Sequence, residues 1–168
     1  MKILIVGIVA SGKTTMAKRL SKLLNIEHYE IDSIVHDDIN NVKRSESEQK
    51  KIFNKIDKND SWIIEGTLRK HLFYLCDMAD VIIYMDIPVG VRKVRILTRF
   101  IKQKLGIEKC NYKVNLEMLR LMYKWTNDFE INKSEFEENL FKYQDKVVVE
   151  KKGKIWYNVV IRGGITSV

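Results

Sequence analysis

Two hydrophobic periods alternate along the chain. Residues 2–6 form a short apolar run rich in Ile and Val, the pattern of a strand buried on both faces. From residue 14 the period changes. Ala17, Leu20 and Leu24 recur at helical spacing until Asn25 breaks the pattern. A weaker strand is expected over residues 26–31, ending at Asp32. A capping-box pattern at Ser45-Glu46-Ser47-Glu48 opens a polar helix whose inner face carries Ile52, Phe53 and Ile56. Trp62-Ile63-Ile64 reads as a third strand ending in Glu65-Gly66, and residues 68–75 as a short helix. Residues 81–85 are a fourth strand ending at Asp86, after which Pro88 suits the first turn of a helix reaching about Leu105. That helix has Val94, Leu97, Ile101 and Leu105 as its expected inner face, with Arg92, Arg95, Arg99 and Lys102 on another. Residues 116–125 and 130–143 read as two further helices. Residues 146–150 and 155–160 read as strands around Lys152-Gly153.

Strands alternating with helices predict a three-layer α/β fold with a mainly parallel central sheet. With one proline and no Gly/Ser-rich linker, residues 1–168 are expected to form a single domain. A composition of 45% apolar and 31% charged residues is that of a soluble globular chain. No apolar stretch approaches the roughly 20 residues of a spanning helix. The N-terminus lacks a basic region ahead of a long apolar segment, so no signal peptide and no membrane partner are expected, and the expected location is cytoplasmic. Cys76 and Cys110 are far apart and read as free thiols. His28, His36 and His71 have no metal-ligand or triad spacing. Trp62 and Trp156 read as core, as do Trp125, Tyr123, Met118 and Met122.

Charge is placed unevenly. Between Arg92 and Lys124 ten Lys/Arg face only Glu108 and Glu117, a difference equal to the whole net charge of +8. Such a segment suits an anionic partner, either nucleotide phosphates or nucleic acid. It lacks the interleaved aromatic row that stacks single strands, which makes nucleic acid the weaker expectation.

Gly7-Ile8-Val9-Ala10-Ser11-Gly12-Lys13-Thr14 fits G-x-x-x-x-G-K-[ST] at every fixed position, between an apolar strand and a helix. This pattern is a phosphate loop. Amides of Gly7, Ala10, Ser11, Gly12, Thr14 and Thr15 are candidates to surround phosphate oxygens, with glycine where a side chain would obstruct the turn. The helix N-terminus adds partial positive charge. Lys13 would neutralise the outer phosphates, and Thr14 would offer its hydroxyl to Mg²⁺.

In open α/β sheets, ligands gather at the carboxyl ends of strands, and three such ends carry Asp32, Glu65 and Asp86. Asp32 is the candidate to accept a substrate hydroxyl proton or to orient Mg²⁺; its structural alternative is a helix N-cap. Glu65 is a candidate to hold Mg²⁺ through water, or else a loop acid bonded to a backbone amide. Gly66 would let a substrate pass close to the chain. Asp86 is expected to order the turn before Pro88. Arg69 is a candidate clamp for an anionic group. Arg95 and Arg99, one turn apart, would stabilise charge on a transferring phosphoryl group; the alternative is a solvated helix face.

Four segments together, "GIVASGKTTMAKRL", "YEID", "WIIEGTLR" and "VIIYMDIPVGVRKVRILTR", resemble the P-loop small-molecule and nucleotide kinases. Within that group they are most similar to the adenylate-kinase-like, FlaR-type DNA topology modulation proteins. The resemblance covers residues 1–126. It implies a five-stranded P-loop NTPase sheet of order 2-3-1-4-5, ATP with Mg²⁺, and a helical lid within the basic region of about 92–126. It matches Lys13 and Thr14 to the phosphate-loop residues, Asp32 to the acid after the second strand, Arg69 to the arginine after the third-strand motif, and Arg95 and Arg99 to lid arginines. The chain lacks the G-[FY]-P-R run of true nucleoside monophosphate kinases. The function expected is an ATP-dependent kinase for a small molecule, a nucleoside or nucleotide among the options, acting as a monomer or homodimer. The alternatives are a nucleotide-binding regulator that holds nucleic acid through residues 92–124, and a simple NTP hydrolase.

Overall fold

The structure, a computed structural model, describes residues 1–37, 42–108, 110 and 114–151. The expected strand over 155–160, together with Lys152-Gly153, Trp156, Lys109 and Lys113, lies outside the described residues. Five strands build the central sheet: β1 (Lys2–Val6), β2 (His28–Glu30), β5 (Trp62–Gly66), β6 (Val81–Met85) and β7 (Val147–Glu150). They run in the order β2-β5-β1-β6-β7, with every pairing parallel. This is the expected order 2-3-1-4-5. A separate two-residue hairpin, β3 (His36–Asp37) with β4 (Val42–Lys43), is a feature the periodicity did not indicate.

Alternation along the strands divides the core between the two sheet faces. Ile3, Ile5, Ile63 and Ile83 pack against Met16, Ala17 and Leu20 of α1 (Lys13–Leu24). Leu4, Val6, Ile64, Ile82 and Tyr84 face the other way. They are covered by α2 (Ile31–Val35), α3 (Glu46–Asp57), α4 (Leu75–Met78) and the end of α6 (Leu116–Leu140). Burial on both faces is why the strands read as continuous apolar runs. Asn25 ends α1 in the left-handed conformation, its N–H returning to the Ser21 carbonyl. The capping box forms as the sequence predicts: Ser45 accepts from the Glu48 N–H and Glu48 accepts from the Ser45 N–H.

Three elements differ from expectation. The segment after β5 is a 3₁₀ turn, Lys70–Leu72, followed by α4 rather than one helix. The two expected C-terminal helices are one 25-residue helix, α6. Thr126, Phe129 and Phe136 continue its inner face across the expected gap, and no Gly or Pro interrupts it. Trp125, expected in the core, is exposed on it.

The largest correction concerns α5 (Val89–Lys104). Its expected inner face points to solvent: Val94, Leu97 and Ile101 are 65%, 45% and 48% exposed. Arg92, Ile96 and Gln103 are buried instead, against α6. The reason is polar. Arg92 is fully enclosed, donating from Nε to the Ile87 carbonyl at 2.8 Å and pairing through Nη2 with Glu130 of α6. Once enclosed, Arg92 holds α5 in this rotation, because withdrawing Glu130 or turning the helix would leave a buried charge uncompensated. Asp86, expected to order the turn before Pro88, instead bonds Lys133 of α6 at 2.5 Å.

Candidate functional site: the phosphate loop and the β2/β5 strand ends

The site is built around the turn from β1 to α1. Gly7 sits at φ +156, where a Cβ would lie 3.0 Å from both the Met85 carbonyl and Ser11 Oγ. Gly12 sits at φ +101 as the N-cap of α1. Both positions require glycine. Ala10 also has positive φ, at 60°, a costly conformation for a residue with a side chain. No side chain caps α1 and no acid lies in its first turn, so its leading N–H groups face the loop uncompensated.

Side chains complete the cradle. Lys13 Nζ lies back over the loop, donating to the Ile8 carbonyl at 3.0 Å. Burial pushes its pKa below the usual lysine value, opposed by the charges of Glu65, Asp32 and Glu30. Thr14 Oγ1 donates to Glu65 Oε1 at 2.5 Å. Glu65, at the end of β5, is 3% exposed; burial raises its carboxyl pKa while Lys13 and the Thr14 bond lower it. Ser11 Oγ is buried with no hydrogen-bond partner among the described residues. Thr15, the next residue of α1, is exposed.

Arg95 reaches the loop from α5, its Nη1 donating to the carbonyls of Ala10 at 3.3 Å and Ser11 at 3.0 Å. Arg99 instead pairs with Glu108 at 2.8 Å, although its charge still acts on Lys13. Asp32 is not an N-cap; that position is Glu30. It lies in the first turn of α2, 68% exposed, with Oδ1 at 3.6 Å from Arg69 Nη2. The other arm of that guanidinium, Arg69 Nη1, is buried without a partner among the described residues. The close approach permitted by Gly66 is made by Ile31 rather than by a substrate: an added Cβ would stand 2.5 Å from Ile31 Cβ.

The structure thus gathers Lys13, Thr14, Glu65 and Arg95 around one loop, and joins Asp32 to Arg69 beside it. Gly66 and Arg99 are engaged elsewhere. Sequence reasoning missed Thr67, whose hydroxyl donates to the Gly7 carbonyl at 3.1 Å and fixes the first loop glycine. Its place directly after the strand-end Glu65-Gly66 is the signal that could have found it. Glu30, the N-cap of α2, Arg44, which donates to the carbonyls closing α2, and Gln49, which bonds the Arg44 carbonyl and lies against His71, were also missed, and nothing in their local pattern marks them. Among the described residues, no three His, Cys, Asp or Glu side chains gather into a metal-binding cluster. Cys76 is buried, which pushes its thiol pKa up to about 12.

A parallel sheet of order 2-3-1-4-5 with a glycine loop feeding α1 defines a P-loop, kinase-like α/β architecture. A family model described as an AAA domain matches residues 3–112, and the chain belongs to that family. No curated protein matches the sequence. Among solved structures, shikimate kinase from Acinetobacter baumannii, in complex with shikimate, is similar at TM-score 0.58 and 12% identity, over 96% of this chain and 91% of that one. Shikimate kinase from Bacteroides thetaiotaomicron is similar at TM-score 0.57 and 11% identity, over 96% and 92%. Deoxyadenosine kinase from M. mycoides, with bound dATP, is similar at TM-score 0.52 and 15% identity, over 96% and 95%. At these identities the likeness is one of fold. Among the described residues, no helix is long and apolar enough to cross a membrane.

Proposed function

We propose that the chain is a phosphotransferase that moves a phosphoryl group from ATP, with Mg²⁺, to a hydroxyl of a small molecule, of the nucleoside, nucleotide or hydroxy-acid kind, with Arg69 favouring the anionic members of that set. The observation that carries this reading is the pairing of a built phosphate cradle with a second, acid–arginine pair at the ends of β2 and β5. A switch or a simple hydrolase has use for the first alone. The fold neighbours, kinases of a hydroxy acid and of a nucleoside, support the same class, as does the resemblance to the FlaR-type kinases.

The residues present fit a bound nucleotide and metal. Ser11 Oγ is an orphaned buried polar atom inside the cradle, available to a phosphate oxygen. Thr14 and Glu65 are hard oxygen donors, the type Mg²⁺ takes alongside phosphate oxygens. Bound ATP supplies the transferable phosphoryl group. Lys13 exchanges its bond to the Ile8 carbonyl for phosphate oxygens, and its half-buried ammonium stabilises charge there more strongly than an exposed one would. Arg95 holds the loop through its carbonyls, and Arg99 adds positive charge at the same side. Asp32 accepts the proton of the attacking hydroxyl. Arg69 turns its unpartnered Nη1 to an anionic group of the acceptor and orients it.

A screen with labelled ATP and GTP, with Mg²⁺, across nucleosides, nucleotides and hydroxy acids tests the reading. Label is expected on an organic hydroxyl. Label recovered only as inorganic phosphate with every acceptor would replace the transferase by a hydrolase.

A further inference from the structure

The outward face of α5 has no use in phosphoryl transfer. At 100° per residue, Val91, Val94, Leu97, Ile101 and Leu105 fall on one stripe of the helix, opposite the buried Arg92, Ile96 and Gln103. All five are exposed, Leu105 by 68%, and Ile107 just beyond is 71% exposed. A stripe of this length left in water is costly in a soluble chain and marks an interaction surface. Lys93 and Lys104 border one margin and Lys102 the other; none has an ion-pair partner among the described residues, and α5 carries no acid.

We propose that α5 is a docking surface for an anionic lipid bilayer, the aliphatic stripe entering the headgroup boundary while the marginal lysines reach lipid phosphates. Chemistry selects this occupant. A second copy would set two stripes face to face with lysines along both margins and no acid to answer them. Protein interfaces favour aromatic residues and Met at their centre and deplete Lys, the reverse of this surface. Nucleic acid would leave the stripe uncovered, and the arginines it would use are committed: Arg92 to Glu130, Arg95 to the loop carbonyls and Arg99 to Glu108. Anionic lipid answers both the apolar stripe and its basic margins, with the lysine stems lying along the apolar boundary.

The test uses the full chain and sedimentation with phosphatidylcholine vesicles, with and without phosphatidylserine. Its readout does not involve phosphoryl transfer, so it stands or falls separately from the proposed activity. Binding is expected only to the anionic vesicles and is expected to fall with added salt. The exposed-face variant Leu97→Gln/Ile101→Gln is expected to lose about tenfold or more in partitioning at unchanged melting temperature. Lys102→Ala/Lys104→Ala is expected to lose about tenfold on anionic vesicles. Absence of binding to phosphatidylserine vesicles at low salt would overturn the proposal. So would undiminished binding by Leu97→Gln/Ile101→Gln, or conversion of a dimer to a monomer by that variant.

Discussion

The two halves of the site are built by different means. The donor half comes from one unbroken stretch, Gly7 to Thr14, whose backbone is the binding surface. It is locked by φ angles that only glycine takes readily and by the local bond from Lys13 to Ile8, with Thr67 and Arg95 bracing it from outside. The acceptor half consists of two side chains, Asp32 and Arg69, on elements 37 residues apart in sequence that touch through an ion pair of 3.6 Å. Its shape depends on whatever holds α2 against the turn after β5. A backbone cradle presents the same amides whatever surrounds it, whereas a side-chain pair can be re-aimed by changes in its supports. The difference predicts that the two halves can be damaged separately.

The largest separation should come from Lys13. Lys13→Ala removes the half-buried ammonium and leaves the glycine turn, so turnover is expected to fall about 1,000-fold, or about 4 kcal/mol of stabilisation of the transferring charge. The melting temperature should stay within a degree or two, because the only bond lost is to the Ile8 carbonyl. Steady-state kinetics with a calorimetric scan would check both. Unaltered turnover would remove Lys13 from the chemistry.

Gly66→Ala acts where the halves meet. Ile31, the first residue of α2, is fully buried and leaves no room for a Cβ at position 66. Either β5 or α2 must shift, at an expected cost of about 1–3 kcal/mol measured by urea unfolding. Asp32 follows Ile31 directly, so a shift of α2 should raise the acceptor KM while the KM for ATP stays put, whereas a shift of β5 would carry Glu65 and Thr67 with it and raise both. A variant of wild-type stability would show that Ile31 moves freely, and that Gly66 does not set the position of α2.

The same contrast decides what can be read from sequence. Phosphate cradle and the α3 capping box follow from neighbours in the chain, since each rests on φ angles or bonds spanning a few residues, whereas the strand order pairs segments as far apart as Lys2 and Trp62 and came from the family resemblance. The orientation of α5 could not be read in this way. Its aliphatic stripe has a clean helical period, and nothing local reveals that Arg92 finds Glu130, 38 residues later. The extent of α6 was misread for a related reason: Phe136 meets Tyr84 and Phe73, partners on distant elements, and Phe129 packs against Phe136, so the inner face continues where the local pattern weakens. Asp32 and Arg69 were identifiable as strand-end residues, but their contact was not, and the side chains that support them carry no pattern at all.

Gln49 is the clearest of those supports and gives the finest test of separate mounting. It is fully buried in the first turn of α3. Its Nε2 donates to the Arg44 carbonyl at 2.7 Å, and its Oε1 lies 3.1 Å from His71 Nε2. Arg44 in turn directs Nη1 to the carbonyls of Ser33, Ile34 and His36 at 2.9–3.0 Å, closing the C-terminal end of α2. His71 belongs to the 3₁₀ turn that Arg69 caps. One amide therefore ties the helix of Asp32 to the turn of Arg69. Gln49→Leu keeps the approximate volume and strips both bonds, leaving a carbonyl and a ring nitrogen unsatisfied at a cost of about 1 kcal/mol. A loss of that size in acceptor binding, from a loosened Asp32–Arg69 pair, corresponds to about a fivefold rise in the KM for the acceptor found by the screen. The KM for ATP should not change, because no bond of Gln49 reaches the loop. Equal shifts in both constants would mean that the two halves share one support, and that the independence of the donor cradle is lost.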